Sequence, residues 1–248
     1  MSLLERWTRL SPHSLLGAAV RLPLRLVPRD RPRRVRGGLN RGLRWIPGSS
    51  VHGCWLGTYE PEMQRMFAQR VRAGMCVWDV GANAGFFTLA AARLVGAQGQ
   101  VHAFEPFAEA AHHLLRHVAL NPSGNVTIVQ AALSERGGLL GFAPGRSSAM
   151  GKVDPEASTY RVPALTADAY AELNPSARPQ LLKIDVEGGE AALLRGAQHL
   201  LSQYAPELLL SLHGAEQAAQ CEAILVAHGY YLRPLPGGDI HAMREGGK

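Results

Sequence analysis

Residues 75–88, MCVWDVGANAGFFT, constrain the fold of this chain more than any other stretch. The first part, residues 77–80, is short and mostly apolar, which predicts a buried β-strand. Glycines at positions 81 and 85 then interrupt the apolar pattern, and Phe86 begins a segment rich in alanine that predicts a helix. A strand, a glycine turn and a helix in this order are typical of the first unit of a nucleotide-binding parallel sheet.

The turn differs from the dinucleotide-binding pattern G-x-G-x-x-G. Phe87 stands in place of the third glycine, and Asp79 lies at the end of the strand, so a pyrophosphate packed on the helix is disfavoured. An acid at this point suits a ligand with a cationic amino-acid end. We therefore predict that Asp79, Gly81, Asn83 and Gly85 bind such a cofactor.

A second strand is predicted over residues 100–104, and Glu105 follows it directly. A carboxylate at this strand end can accept hydrogen bonds from both hydroxyls of a ribose. Asp79 and Glu105 therefore predict an adenosine ligand that lies across the two strand ends. Ala131 and Ala132 end the third predicted strand, where they either leave room for the adenine or simply pack.

Acidic residues cluster at the end of a later apolar strand, predicted over residues 181–186. The end of a central parallel strand opens into the binding crevice, so we expect Asp185 and Glu187 to act at the site. Glu190 follows in the first turn of the next predicted helix. We interpret it as a partner of the helix dipole.

The next predicted strand, residues 206–214, carries His213 near its end. A single histidine is more often a surface or core residue, but this one lies at the same sheet edge as Asp185. Imidazole titrates near neutral pH, which suits removal of a proton from an alcohol. We therefore predict that His213 is a general base.

Four motifs, DVGANAGFFT, AFEP, KIDVEGGE and SLHG, together resemble the FkbM family of S-adenosylmethionine (SAM)-dependent methyltransferases, from about Trp55 to Tyr231. The resemblance implies an α/β class I methyltransferase fold, a Rossmann-like, seven-stranded, mostly parallel sheet with helices on both faces. It implies methyl transfer to a hydroxyl oxygen of a small molecule, sugar or glycolipid. SAM is the implied cofactor, held by Asp79, Gly81, Asn83, Gly85 and Glu105, while His213, Asp185 and Glu187 face the acceptor.

Positive charge is concentrated in residues 1–50, which hold 11 Arg and two acids, in a chain whose net charge is +6. We divide the chain into an Arg-rich N-terminal extension, residues 1–50, and a methyltransferase domain, residues 51–248. Leu3, Leu4, Trp7 and Leu10 share one helical face. A basic amphipathic helix suits peripheral membrane contact and an Arg run suits nucleic acid, but a loosely packed extension is an equal interpretation. We expect no specific nucleic-acid partner.

Three cysteines without C-x-x-C spacing indicate a reducing compartment and offer no zinc cluster. The apolar run at residues 15–20 is shorter than a secretory core, and no stretch is long enough to span a membrane. We therefore expect a cytoplasmic protein.

Other functions stay open at this stage. A nicotinamide-dependent oxidoreductase is disfavoured by the glycine turn, and a non-catalytic SAM-fold module would use the Arg-rich segment to bind a partner or RNA. Asp185, Glu187 and His213 carry donors of the kind that hold Mg²⁺ or Mn²⁺. We nevertheless expect no obligatory metal.

Overall fold

A central sheet organises the protein in a computed structural model that describes Leu24 and residues 26–144, 151–153 and 160–244. The strands of the described residues are β1 (Arg33–Arg34), β2 (Arg44–Trp45), β3 (Cys76–Val80), β4 (Gln100–Phe104), β5 (Val126–Val129), β6 (Ala132–Leu133), β7 (Gly138–Pro144), β8 (Gly151–Val153), β9 (Arg161–Leu165), β10 (Leu181–Ile184), β11 (Glu207–Leu210), β12 (Tyr231–Pro234) and β13 (Ile240–Met243). The α-helices are α1 (His52–Leu56), α2 (Pro61–Arg70), α3 (Phe86–Val95), α4 (Ala108–Leu120), α5 (Ala167–Leu173), α6 (Glu190–Arg195) and α7 (Ala215–Ala227).

Seven strands form the central sheet in the order β12-β13-β11-β10-β3-β4-β5. The five strands from β11 to β5 are parallel to their neighbours, and β13 runs antiparallel to both β11 and β12. Along the chain, β4 and β5 are added on one side of β3, and β10 and the strands after it are added on the other side. The predicted seven-stranded, mostly parallel sheet is therefore confirmed, and its topological switch point lies between β3 and β10.

The strands bury both faces because successive side chains point to opposite sides. Val77 and Leu181 belong to one hydrophobic core, which includes α2 and α3. Trp78 and Leu182, one residue further along each strand, belong to another core, formed with α5, α6 and α7. The prediction of helices on both faces is confirmed.

A smaller sheet, in the order β6-β9-β7-β8, lies between β5 and α5 in the chain. The sequence predicts a hairpin within residues 135–142 and a short strand at 160–163. In the structure β7 pairs antiparallel with both β8 and β9, and β6 pairs parallel with β9. The predicted third strand therefore ends at Val129, and Ala132 already belongs to the second sheet.

The sequence after Gly189 predicts a helix that runs to about residue 203, but the helix is shorter in the structure. It ends at Arg195, and a π-helical turn follows at Leu200–Tyr204. Gly196 follows α6, and a Cβ at this residue would overlap the carbonyl oxygen of Ser134. The chain therefore uses glycine here to approach the smaller sheet closely.

The segment before α1 packs on the domain. Val35, Trp45 and Ile46 are buried, and the side-chain amide of Asn40 donates to the carbonyl of Phe86 at 2.7 Å. The predicted boundary at residue 50 falls inside this packing. The predicted amphipathic helix near the start of the chain lies outside the described residues.

The helices of the described ranges all fall short of the length and hydrophobicity that a bilayer crossing requires. Cys54, Cys76 and Cys221 are buried free thiols. The cytoplasmic location stays a prediction.

Candidate active site

A cleft opens at the carboxyl ends of β3, β4 and β10, beside the switch point of the sheet. Parallel strands bring their carboxyl ends to the same edge, so residues far apart in the sequence meet there. The residues singled out from the sequence that line the cleft are Asp79, Gly81, Asn83, Glu105, Ala131, Ala132, Asp185 and Glu187. Gly85 and His213 are not among the lining residues, and their positions are described below.

Asp79 is completely buried at the end of β3. Its Oδ2 accepts a hydrogen bond from the Thr88 hydroxyl in α3 at 2.6 Å, while its Oδ1 has no hydrogen-bond partner among the described residues. Burial raises the pKa of Asp79, and Lys183 opposes that shift. An unpaired buried acceptor at the cleft suits a cationic ligand group, because burying it without a partner is costly.

The glycines of the turn have different roles. Gly81 (φ +77°) lines the cleft, but a Cβ there would overlap the carbonyl oxygen of Asp185. Gly85 (φ +92°) precedes α3, and a Cβ there would meet the Leu114 side chain. The predicted role of Gly85 in cofactor binding therefore has no support from its position, since packing accounts for the glycine.

Glu105 follows β4 and connects the two nearest loops. Its Oε2 accepts from the backbone N–H of Asn83 at 2.7 Å, and its Oε1 accepts from that of Phe107 at 2.8 Å. Burial raises the pKa of Glu105 to about 7, although both backbone hydrogen bonds favour the carboxylate. Each carboxylate oxygen keeps a further lone pair, so the group can also accept from ligand hydroxyls.

Lys183 is a buried cation that the sequence interpretation left without a role. Its Nζ donates to Asp185 Oδ2 at 3.0 Å and lies 5.0 Å from the centre of the Phe87 ring. Burial would lower the pKa of Lys183, but the carboxylates of Asp185, Asp79 and Glu60 outweigh burial and raise it. Burial likewise would raise the pKa of Asp185, and Lys183 outweighs it and lowers that pKa. Asp185 is therefore an ionised hydrogen-bond acceptor and a weak base.

His213 lies three residues beyond β11, beside the predicted acidic residues. Its Nε2 is 3.7 Å from Oδ1 of Asp185 and 3.6 Å from Oε2 of Glu187. Its Nδ1 lies 2.6 Å from Oε1 of Glu190, whose side chain is fully buried. The hydrogen bond to Glu190 raises the pKa of His213 to about 9, against the smaller effect of burial.

Glu190 also accepts from the backbone N–H of Gly188 at 3.1 Å. Its main contact is therefore with His213, which the helix-dipole interpretation did not include. The same contact explains why the pKa of His213 is higher than the near-neutral value expected from the sequence, which did not show that Glu190 and His213 meet.

Several cleft residues come from the segment before β3, and some of them lie in the predicted extension, residues 1–50. Trp45 and Ser50 line the cleft, as does Tyr59, which lies just before α2. Glu60 is the N-cap of α2 but makes no side-chain capping hydrogen bond. The large apolar pair Trp45 and Ile46, directly before Pro47, was the signal in the sequence for a buried segment.

No three metal-ligating side chains of the described residues converge in a way that could hold a metal ion. His213, Asp185 and Glu187 approach one another, but Asp185 is already paired with Lys183. The use of a metal stays a matter for experiment.

Comparison with known families gives a match to the methyltransferase FkbM domain over residues 79–232, more than half of the chain. A hexuronic acid methyltransferase, AglP, from Haloferax volcanii is 28% identical over 144 residues. That match covers 57% of this chain and 58% of the relative, so the chain spans well under two thirds of the relative's length.

The structure is similar to the crystal structure of a methyltransferase FkbM from Methylobacillus flagellatus, with a TM-score of 0.52 and 16% identity. The alignment covers 77% of this chain and 53% of that chain. The likeness shows the fold alone, and it agrees with the class I sheet order described above.

Proposed function

This chain belongs to the FkbM family of methyltransferases, and we propose that it transfers a methyl group from SAM to a hydroxyl oxygen of a sugar or small molecule. One observation carries the proposal: the Glu190–His213 pair lies beside Asp185 and Glu187 at a cleft that Asp79 and Glu105 frame. A proton acceptor and a nucleoside site therefore share one sheet edge.

The polar groups of the cleft fit SAM. Asp79 would bind the ammonium of the methionine part, because its Oδ1 is a buried acceptor without a partner among the described residues. Glu105 would accept from the ribose hydroxyls, and Gly81 and Asn83 would line the same wall. When bound, SAM supplies a methyl group activated by the sulfonium charge.

His213 would take the proton of the acceptor hydroxyl. With a pKa of about 9, it is mostly protonated at neutral pH, and Glu190 holds its ring by the Nδ1 hydrogen bond. The Nε2 atom faces Asp185 and Glu187 and would be the one to receive the proton. General-base assistance of this kind contributes on the order of 10²–10⁴ in rate.

Asp185 and Glu187 would position the acceptor. Ionised carboxylates accept hydrogen bonds from vicinal hydroxyls, and Lys183 keeps Asp185 ionised. The relative named as a hexuronic acid methyltransferase supports a sugar as the acceptor class. Holding the acceptor oxygen in line with the methyl group would lower the activation free energy of the transfer.

A two-step experiment tests the proposal. Calorimetry with SAM and with NADH should show binding of SAM only. Purified protein with methyl-labelled SAM should then label an acceptor in a panel of neutral sugars, uronic acids and glycolipid precursors, at an oxygen that mass spectrometry identifies. Binding of SAM without transfer to any hydroxyl would favour a non-catalytic module, and labelling at nitrogen or carbon would contradict O-methylation.

A further inference from the structure

Exposed arginines are concentrated in the segment before α1. Its seven exposed arginines, called here the arginine surface, are Arg29, Arg31, Arg33, Arg34, Arg36, Arg41 and Arg44. Residues 26–50 contain a single acid, Asp30. No member of the arginine surface forms an ion pair with a carboxylate of the described residues, whereas Arg65, Arg70 and Arg195 do.

The body of the protein holds these arginines in place. Arg34 and Arg44 are directly opposite each other in the β1–β2 hairpin, where like charges destabilise pairing. The hairpin is held instead by Asn121, which accepts from the Arg44 N–H at 2.7 Å and donates to the Arg44 carbonyl at 2.8 Å. Trp45 anchors it further, stacked on His117 with ring centres 3.9 Å apart. The fold therefore places two like charges side by side, and a bound anion would offset their repulsion.

The same surface has a hollow of the right chemistry for phosphate. Arg33, Arg34 and Arg36 line it together with Val35 and Trp55. Guanidinium groups bind phosphate oxygens through paired N–H donors, and several of them in one hollow favour a multiply charged or repeated anion.

The surroundings favour a lipid surface over nucleic acid. Leu26 and Val51, at the two ends of the segment, are exposed at 85% and 52%. Binding of single-stranded nucleic acid relies on exposed aromatic rings that stack on bases, and Trp45 and Trp55 are buried. Basic residues flanked by exposed apolar side chains instead match an anionic membrane interface.

We propose that the arginine surface docks this protein on membranes rich in anionic phospholipids, with lipid phosphates against the guanidinium groups and Leu26 and Val51 in the interface. Val51 also lines the cleft. Docking would therefore bring the cleft next to the lipid headgroups, where an acceptor carried on a lipid would lie.

Vesicle sedimentation with the full chain tests the proposal. The protein should sediment with vesicles that contain phosphatidylglycerol, stay in solution with pure phosphatidylcholine, and lose binding as salt is raised. The triple variant R31Q/R33Q/R36Q should partition on the order of 10²-fold more weakly, since each basic residue near such a surface contributes about a fivefold effect. None of these three side chains makes a hydrogen bond in the described residues, so the variant should keep the wild-type melting temperature.

The control variant R136Q/R161Q/R233Q removes the same charge from exposed positions elsewhere and should bind as the wild type does. R31K/R33K/R36K should keep the part of the binding that depends on charge alone and lose the part that depends on paired guanidinium donors, so its affinity should lie between those of the wild type and the Gln variant. Equal sedimentation of the Gln variant and the wild type would overturn the proposal. So would equal binding to neutral vesicles, or tight binding to an RNA oligonucleotide with none to anionic vesicles.

Discussion

The Nδ1 atom of His213 lies 2.6 Å from Oε1 of Glu190, a carboxylate with no exposed surface. This contact raises the pKa of His213 to about 9 from its ordinary value of 6.5. A group with a raised folded-state pKa stabilises the fold below its unfolded pKa, and that stabilisation is lost as pH rises through the folded pKa. The stabilisation that His213 contributes to the fold is therefore lost between pH 6.5 and about 9.

Methyl transfer should rise with pH through a midpoint near 9, where His213 loses its proton. Glu190→Gln should move this midpoint down toward 6.5, because an amide removes the charge but keeps an acceptor. The measurement is kcat/KM for the acceptor against pH for both enzymes, because this ratio reports the pKa values of the enzyme before the acceptor binds. Glu222→Gln, an exposed change on α7, should leave the midpoint in place. An unmoved midpoint in Glu190→Gln would show that Glu190 does not raise the pKa of the group that controls the rate.

His213→Ala should reduce the rate on the true acceptor by roughly 10²–10⁴-fold above pH 9 and leave SAM affinity nearly unchanged. The cofactor contacts assigned above involve other strand ends, so only the chemical step should respond. Single-turnover rates and calorimetry separate the two quantities. His112→Ala, at an exposed position on α4, is the matched control. A wild-type rate in His213→Ala would leave Glu187 as the candidate base.

Glu105→Gln should weaken SAM binding by about 10–100-fold, the effect of losing hydrogen bonds to a charged acceptor. The wild-type affinity should also fall as pH drops through about 7, the pKa of Glu105, and the variant should lose that step. Titration calorimetry at several pH values measures both effects. Glu109→Gln, at an exposed position in the first turn of α4 that does not line the cleft, should bind SAM normally. Equal dissociation constants for Glu105→Gln and wild type would remove Glu105 from the cofactor site.

Gly81→Ala tests whether packing or ligand approach requires this glycine. Gly81 and Gly124 have similar backbone angles, φ +77° and +73°, but only at Gly81 would a Cβ overlap another residue, at the carbonyl of Asp185. Both substitutions should cost about 1–2 kcal/mol of backbone strain. Gly81→Ala should cost a further ~1–3 kcal/mol, roughly 2–10 °C in melting temperature. Equal melting temperatures for the Gly81 and Gly124 variants would show that the backbone at Asp185 moves away from the added Cβ at no cost.

A chain that begins at Gly53 should lose cooperative unfolding, because it lacks Val35, Trp45 and Ile46 from the core. A chain that begins at Leu24 should keep it. We therefore propose that the folded unit starts before residue 33, ahead of the boundary at residue 50 that charge distribution predicted. Calorimetric scans of both shortened chains distinguish the two boundaries. A sharp transition in the shorter chain would restore the boundary at residue 50.

The sequence predicted the sheet edge because parallel strands place their ends together whatever the intervening helices do. Asp79, Glu105, Asp185 and Glu187 each follow or end an apolar run, so their meeting in one cleft was predictable. The contact between Glu190 and His213 was not, because it depends on how a helix start faces a loop 23 positions away. The close approach of the Gly81 backbone to the Asp185 carbonyl was not predictable for the same reason: no local pattern shows which backbone lies opposite a glycine.

The Ile46 N–H donates to Nε2 of His117, 71 positions later, and Nδ1 of the same ring hydrogen-bonds to the Ala84 carbonyl in the glycine turn. During synthesis the chain emerges at about 5–20 residues per second, so Ile46 waits roughly 4–14 s before its partner leaves the ribosome. The apolar side chains that pack around this contact in the folded protein are exposed to water throughout that interval. Nascent chains should therefore recruit a chaperone while α4 is being made, and slow codons between residues 50 and 117 should increase aggregation.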